Sequence, residues 1–267
     1  MKRLLTVTIL LFASLLYSQS KFDINNLIDR GGLKYAPNDD EPYTGKVFDF
    51  YENGQKKLDG RYRNGLMNGE WTYYQENGQV YVQGRFIDGD GGNPSEISGV
   101  PFNGRTGRWT SWYENGQKFQ QATFKDGKFD GKWISWHENG QKYKEVTYKN
   151  EIRNGKWTEW YENGQKMSEG TWKDGKLNGL LTEWYENGLK SGEATYKDGE
   201  RDGKATSWYE NGQKKIEYNY KDGDRDGKYT SWYENGQKFQ QATFKDGEEI
   251  DHKEWDEYGN VTDHFIP

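Results

Sequence analysis

The chain has 267 residues, no Cys and three His, at His137, His252 and His264. Disulfide frameworks and thiolate metal sites are therefore excluded, and most His-based chemistry is made improbable by numbers alone. Leu, Ile, Val and Phe total 43, which is low, but 12 Trp and 20 Tyr supply large apolar surfaces, and 37 positive against 43 negative side chains nearly cancel. Disorder requires low hydrophobicity together with high net charge, so a folded protein is expected, with an aromatic core in place of an aliphatic one.

Residues 1–20 read as a secretory signal peptide. Lys2 and Arg3 precede an apolar run from Leu4 to Leu16, and Ser18-Gln19-Ser20 places small residues at a cleavage site. The run is shorter than the roughly 20 residues that span a bilayer. Export is expected, to the periplasm, the cell surface or the medium. Removal of Lys2 and Arg3 takes the net charge from −6 to −8. An acidic chain of this kind argues against nucleic acid as a partner and against strong membrane binding.

Residues 21–44 read as an N-terminal cap. After them one repeat organises the chain to residue 250, and residues 251–267 read as a degenerate last repeat and C-terminal cap. Glu-Asn-Gly recurs with Asn at 53, 77, 115, 139, 163, 187, 211 and 235. Every spacing is 24 except one of 38, which places an insertion at about Asp88 to Pro101. Trp109 to Gly127 and Tyr229 to Gly247 differ only at their first residue. A ninth copy is recognisable at Trp255 to Asn260.

Each unit reads as a β-hairpin. Asn-Gly predicts a two-residue type I′ turn. The flanks, such as Trp109 to Glu114 and Gln117 to Lys125, are rich in aromatic and β-branched residues, as strands prefer. Asp126-Gly127 begins the next turn. Short connections force antiparallel neighbours. The expected fold is all-β, an elongated meander of about nine 24-residue units in a single twisted sheet of about 16–18 strands. A two-residue turn sets Glu114 opposite Gln117 and Trp112 opposite Phe119. Two aromatic stripes run the length of the array. One lies three residues before Asn: Phe50, Tyr74, Trp112, Trp136, Trp160, Trp184, Trp208 and Trp232, with Trp255 at the same place in the degenerate copy, where Tyr258 replaces the Asn. The other lies nine after it: Tyr62, Phe86, Phe124, Tyr148, Trp172, Tyr196, Tyr220 and Phe244. Alternation puts them on opposite faces, unless a bulge intervenes.

This pattern, Tyr-Glu-Asn-Gly-Gln-Lys, then aromatic-Lys-Asp-Gly-Lys, then Asn/Asp-Gly-Lys-Trp, is clear in Trp133 to Gly155 and Trp157 to Gly179. It resembles the MORN repeat variant over about residues 43–260, and the YwqK-family antitoxins of toxin–antitoxin systems are the similar named group. The resemblance implies an elongated single-layered antiparallel sheet with a binding role toward proteins or membranes. The usual MORN unit spaces its Gly and Tyr differently, so lipid binding does not carry over by residue.

Nothing in the sequence points to catalysis. No nucleophile elbow, His-Glu-x-x-His or phosphate loop occurs. Glu114, Glu138, Glu162 and Glu186 recur at turns, as solvated flanks would. His137 stands where most units have Tyr and reads as a tolerated ring. In the insertion, Asp88, Asp90, Asn93 and Glu96 offer oxygen ligands, but the order of a calcium-binding EF-hand fails at Gly92 and Gly99. An extended hairpin tip or mobile loop is the simpler expectation, and it is the natural place for a unique partner contact. No cofactor and no metal are expected. The expected function is a non-enzymatic exported scaffold that binds a protein, with an exported toxin among the candidate partners. The alternative is a glycan-binding module that uses Trp112, Trp136, Trp160, Trp184, Trp208 and Trp232 as exposed stacking rings.

Overall fold

Two turn chemistries alternate along the chain, and they decide the register of every strand. The computed structural model describes residues 21–96 and 98–265; the signal-peptide reading falls outside them. At Asp126-Gly127 both residues have positive φ, 51° and 78°, as a type I′ turn needs, and Lys125 pairs with Lys128. At Asn115-Gly116 only the Gly is left-handed, at 81°. Here Gly116 N donates to Tyr113 O and Tyr113 N donates to Gln117 O. The loop is therefore a type I turn closed by a left-handed Gly, not the expected type I′ turn. The Asn115 side chain explains the difference, because its Oδ1 accepts from Gln117 N at 2.9 Å while its Nδ2 donates to Glu138 O in the next unit.

The altered turn also corrects the register near the tip. Trp112 pairs with Lys118, not Phe119, and a bulge follows before Ser111 pairs with Gln120. Phe119 packs on Tyr113 instead, with ring centroids 5.0 Å apart. Turn and bulge then cancel, so Trp109 faces Ala122 and Gly107 faces Phe124. A second bulge between Phe129 and Trp133 shifts the register by two residues, which preserves the faces. The Trp112 and Phe124 stripes thus lie on opposite faces, as alternation requires.

Strands follow one another from Gly45–Phe50 to Val261–Phe265, each antiparallel to the next. Lys21–Asp23 adds parallel to Gly45–Phe50, and Ile28–Arg30 pairs with Leu33–Tyr35 as a separate hairpin. The main sheet has 21 strands among the described residues. Two of these are second halves of strands broken near Asn178 and Asp226, where Asn178 N and Asp226 N still bond across the break.

The core lies on the face that carries Trp109, here called the inner face. Large rings sit on small residues of the preceding unit. Trp71 lies over Gly60 and Trp109 over Gly84, and a Cβ at either Gly would stand 2.1 Å from the indole. The indole nitrogens donate to Arg61 O and Arg85 O. Where Ala205 replaces the Trp, its cross-strand partner is Tyr218 in place of the Gly, Ala or Val opposite the Trp residues, so volume is partly restored. The buried cluster runs from Val47 through Trp71, Phe86, Val100 and Trp109 to Phe124. Phe22, Ile24, Leu27 and Tyr43 from the N-terminal cap and Phe102 from the insertion pack against it. Among the described residues no such cover lies over the later units, whose strands make substantial contacts only with their sheet neighbours.

Gly60→Val should drive the indole of Trp71 from its seat and cost about 1–3 kcal/mol. Thermal unfolding measures it, and a variant melting with the wild type would contradict this packing. At the far end, hydrogen bonds that the His252 imidazole donates to the carboxylates of Asp263 and then Glu249 hold its pKa above the ordinary 6.5. A raised folded value means the contribution is complete below the unfolded pKa and vanishes as pH rises through the folded one. Hydrogen-exchange protection of 261–265 should therefore fall as pH rises past neutrality, and His252→Gln should abolish that dependence.

Candidate functional site

The Trp stripe forms the outer face. Trp112, Trp136, Trp160, Trp184, Trp208 and Trp232 are all half-buried. Successive rings lie two strands apart, about 9.6 Å. From Trp136 onward each ring carries an ammonium of the preceding unit over it. Lys118, Lys142, Lys166, Lys190, Lys214 and Lys238 stand 5.3–5.8 Å from the centroids of Trp136, Trp160, Trp184, Trp208, Trp232 and Trp255. Trp112 lacks such a cation because Val80 occupies the corresponding place.

A carboxylate holds most of these ammoniums in position. Glu145 bridges Lys132 and Lys142 at 2.7 and 2.8 Å, and Glu169 bridges Lys156 and Lys166 at 3.0 and 2.7 Å. Glu217 bridges Lys204 and Lys214, and Glu193 pairs with Lys190. Hydrogen bonding by Lys166 dominates at Glu169 and lowers its pKa. At Glu145 and Glu217 burial pushes upward, but their two Lys partners outweigh it and the net shift is down. The outer face is a ladder of cation, carboxylate and indole, with two ammoniums to one carboxylate where Glu145, Glu169 and Glu217 bridge.

The turn edge is a second ladder. Tyr51, Tyr113, Tyr161, Tyr185, Tyr209 and Tyr233 each donate a hydroxyl to the carbonyl of the aromatic residue in the next unit, at 2.7–3.0 Å. His137 makes the same contact through Nε2, 3.2 Å from Trp160 O, so its Nε2 carries the proton. Glu114, Glu138, Glu162 and Glu186 sit exposed at the turns, and the backbone carbonyls of the last three accept from Asn side chains of the preceding unit.

The insertion residues are spread apart. Asp88 Oδ1 accepts from Arg63 at 2.9 Å. Asp90 Oδ1 accepts from Gly92 N and Asn103 Nδ2 at 2.7 and 3.1 Å. Asn93 contributes its carbonyl to Phe102 N, and Glu96 is exposed. Among the described residues no three His, Cys, Asp or Glu side chains gather as a metal site. The returning end of the insertion is not free. It folds back on the inner face through Val100, which is 1% exposed, and Phe102, which packs on Phe124 and Phe129.

Sequence reasoning missed Arg105 and the notch at Ala205. Arg105 is 6% exposed, and burial pushes its pKa down to about 10. Its signal was the repeat itself, since Arg153, Arg201 and Arg225 hold the same position in exposed settings. Ala205, with Gly192 and Ala194, leaves a depression of about 210 Å³ on the inner face, walled by Leu181, Ile216 and Tyr218 and also by Glu183, Ser207 and Arg201. Along this part of the sheet Trp157, Trp172, Tyr196, Tyr220 and Tyr229 are half-buried.

The model of the MORN repeat variant matches residues 43–64, 67–88, 105–126, 129–150, 153–174, 201–222 and 225–246. The chain belongs to the MORN repeat variant family. The unmatched interval holds a hairpin of the same register, in which Gly179 to Trp184 pair with Lys190 to Tyr196. MORN repeats are common in protein-interaction scaffolds. No curated protein matches the chain. Among solved structures, the crystal structure of TcdB2-TccC3 aligns at 9% identity and a TM-score of 0.22. The same complex without its hypervariable C-terminal region aligns at 10% and 0.17. Each alignment covers 88% of this chain and 14% of the other, so the chain spans about one seventh of those proteins.

The three bridging carboxylates have depressed folded pKa values, so their contribution is present above the unfolded value near 4.5 and is lost as pH falls through the folded one. Replacing Glu145, Glu169 and Glu217 together by Gln should flatten the fall in melting temperature between pH 5 and about pH 3. An unchanged acid profile would show that the MORN ladder carries no such linkage.

Proposed function

We propose that this MORN protein is an exported, non-enzymatic scaffold whose later units dock another protein on the inner face. The observation that carries the reading is the half-buried aromatic surface from Trp157 to Tyr229, where Arg153 and Arg201 lie over Trp172 and Tyr220 but no chain segment among the described residues covers the rings, with its notch at Ala205. A half-buried row of rings with no covering layer buries apolar area when a partner supplies that layer. The notch accepts one apolar side chain, and the rings around it act at a spacing set by the repeat. Repetition adds avidity where several weak contacts form together. The pattern of residues 1–20 supports export, and resemblance to the YwqK-family antitoxins then favours an immunity role against an exported toxin. Carbohydrate stacking on the outer Trp stripe is served less well, because Lys side chains already lie over most of those rings.

A photo-crosslinking residue at Ile216, on the inner face, and another at Lys228, on the outer face, test this in intact cells. A discrete protein adduct is expected from Ile216 and not from Lys228. Ala205→Trp restores the residue type of positions 109, 133 and 157 and fills the notch, and it should abolish the adduct. Equal labelling from both positions would refute the inner-face assignment. Absence of a protein adduct, with the chain retained on polysaccharide, would transfer the reading to glycan.

A further inference from the structure

One residue departs from the repeat in its surroundings while keeping its place in it. Ten residues before the turn Asn stand Arg105, Arg153, Arg201 and Arg225. Arg153, Arg201 and Arg225 lie over Trp172, Tyr220 and Phe244 at 5.0, 5.3 and 5.4 Å, and all three are exposed. Arg105 likewise lies over Phe124, at 5.2 Å, and also over Phe102 at 4.2 Å and Trp109 at 4.5 Å. The insertion closes over it and leaves it 6% exposed. Its Nε donates to Pro101 O at 2.7 Å and its Nη2 to Val100 O at 2.9 Å. A guanidinium has five N–H donors, so these two bonds leave part of the fork unused. Among the described residues no Asp or Glu pairs with it, and burial is the main influence on its pKa. Burying a cation without a counter-ion is costly, and ring faces and carbonyls offset that only in part.

The guanidinium borders a cleft of about 220 Å³ between the insertion and the sheet. Ser95, Ser98 and Phe102 form its roof; Trp109, Ala122 and Phe124 form its floor. Phe119 and Phe129 stand at its sides. For comparison, an apolar cavity of about 150 Å³ admits benzene. An apolar concavity with one convergent charge is the usual form of a small-ligand site. Carboxylate oxygens match the Arg fork better than any neutral group of similar size.

We propose that this cleft binds a carboxylate borne on a small apolar group, with the acid against Arg105 and the apolar part against Phe102, Phe119 and Phe129. The source is either a free aliphatic or aryl acid or the C-terminus of a chain ending in an apolar residue. The site is built only where the insertion meets the array, so the other exposed Arg residues do not reproduce it. It stands apart from the notch at Ala205, and its failure would leave the protein-docking reading untouched.

Calorimetric titration of the folded protein with octanoate, octanamide and a tetrapeptide ending in Phe, as free acid and as amide, tests the proposal. At least one acid should bind saturably, with its amide about 10- to 100-fold weaker. Octanoate alone would identify a free acid, and the tetrapeptide acid alone a chain terminus. Arg105→Gln should remove the preference for acid over amide, with near-ultraviolet circular dichroism reporting the fold. Ser98→Trp, on the roof, should block both ligands. Should Arg105→Gln fail to fold, the acid–amide comparison on the wild type still decides. Equal affinity for acid and amide, or no saturable binding of either acid, would overturn the proposal.

Discussion

The structure depends on a turn that bonds to the next turn. In each Tyr-Glu-Asn-Gly tip the Asn amide and the Tyr hydroxyl cross to backbone carbonyls of the following unit. The Asn can do so only because its own backbone stays outside the left-handed region and leaves positive φ to Gly116 and its equivalents. A type I′ turn would re-aim the amide and break the ladder. The bond is local to each pair of tips, yet it repeats along the array and holds the hairpins in one phase. It also accounts for His137, whose ring nitrogen supplies the same donor to the same carbonyl.

Phase locking has a consequence for packing. With every unit presenting the same faces, aromatic residues fall into columns, and a column of Trp needs a column of small residues beside it. Gly60, Gly84 and Ala122 meet that need in the early units. In a repeat array each unit draws stability from its neighbours, so departures from the pattern are felt locally. Two departures stand out. At Ala205 the pattern loses a ring and a notch opens. At residues 88–101 it gains a segment that folds over the core and turns the sheet locally into two layers. The proposed partner site lies at one departure, and the proposed ligand cleft lies at the other.

Much of this architecture was legible before any coordinates. The 24-residue period, the antiparallel order and the opposite placement of the Trp112 and Phe124 stripes all followed from spacing and alternation. The turn types did not, because Asn-Gly and Asp-Gly carry nearly the same propensity. What separates them is an inter-unit bond from Asn115 to Glu138 O, invisible to a local reading. The Trp stripe was legible as a stripe, but its state was not. Whether indole is core or platform depends on Lys side chains arriving from another unit. Asp88 and Asp90 left an oxygen-ligand alternative open beside the simpler loop reading, because acids in a Gly-rich loop are ambiguous; Arg63 and Asn103 engage them in the structure.

The amino-acid sequence by itself determined the family, the unit and the order of strands, because a period-two pattern between short turns admits one local topology. Tertiary structure alone decided which aromatic face is covered and where a charge is sealed in. Arg105 and Arg225 occupy the same place in the repeat and lie over the same kind of ring. They differ only in what lies above them, and that is set by a segment folding back from outside the repeat. Burial is a property of such long-range contacts, so identical residues at identical positions acquire different chemistry.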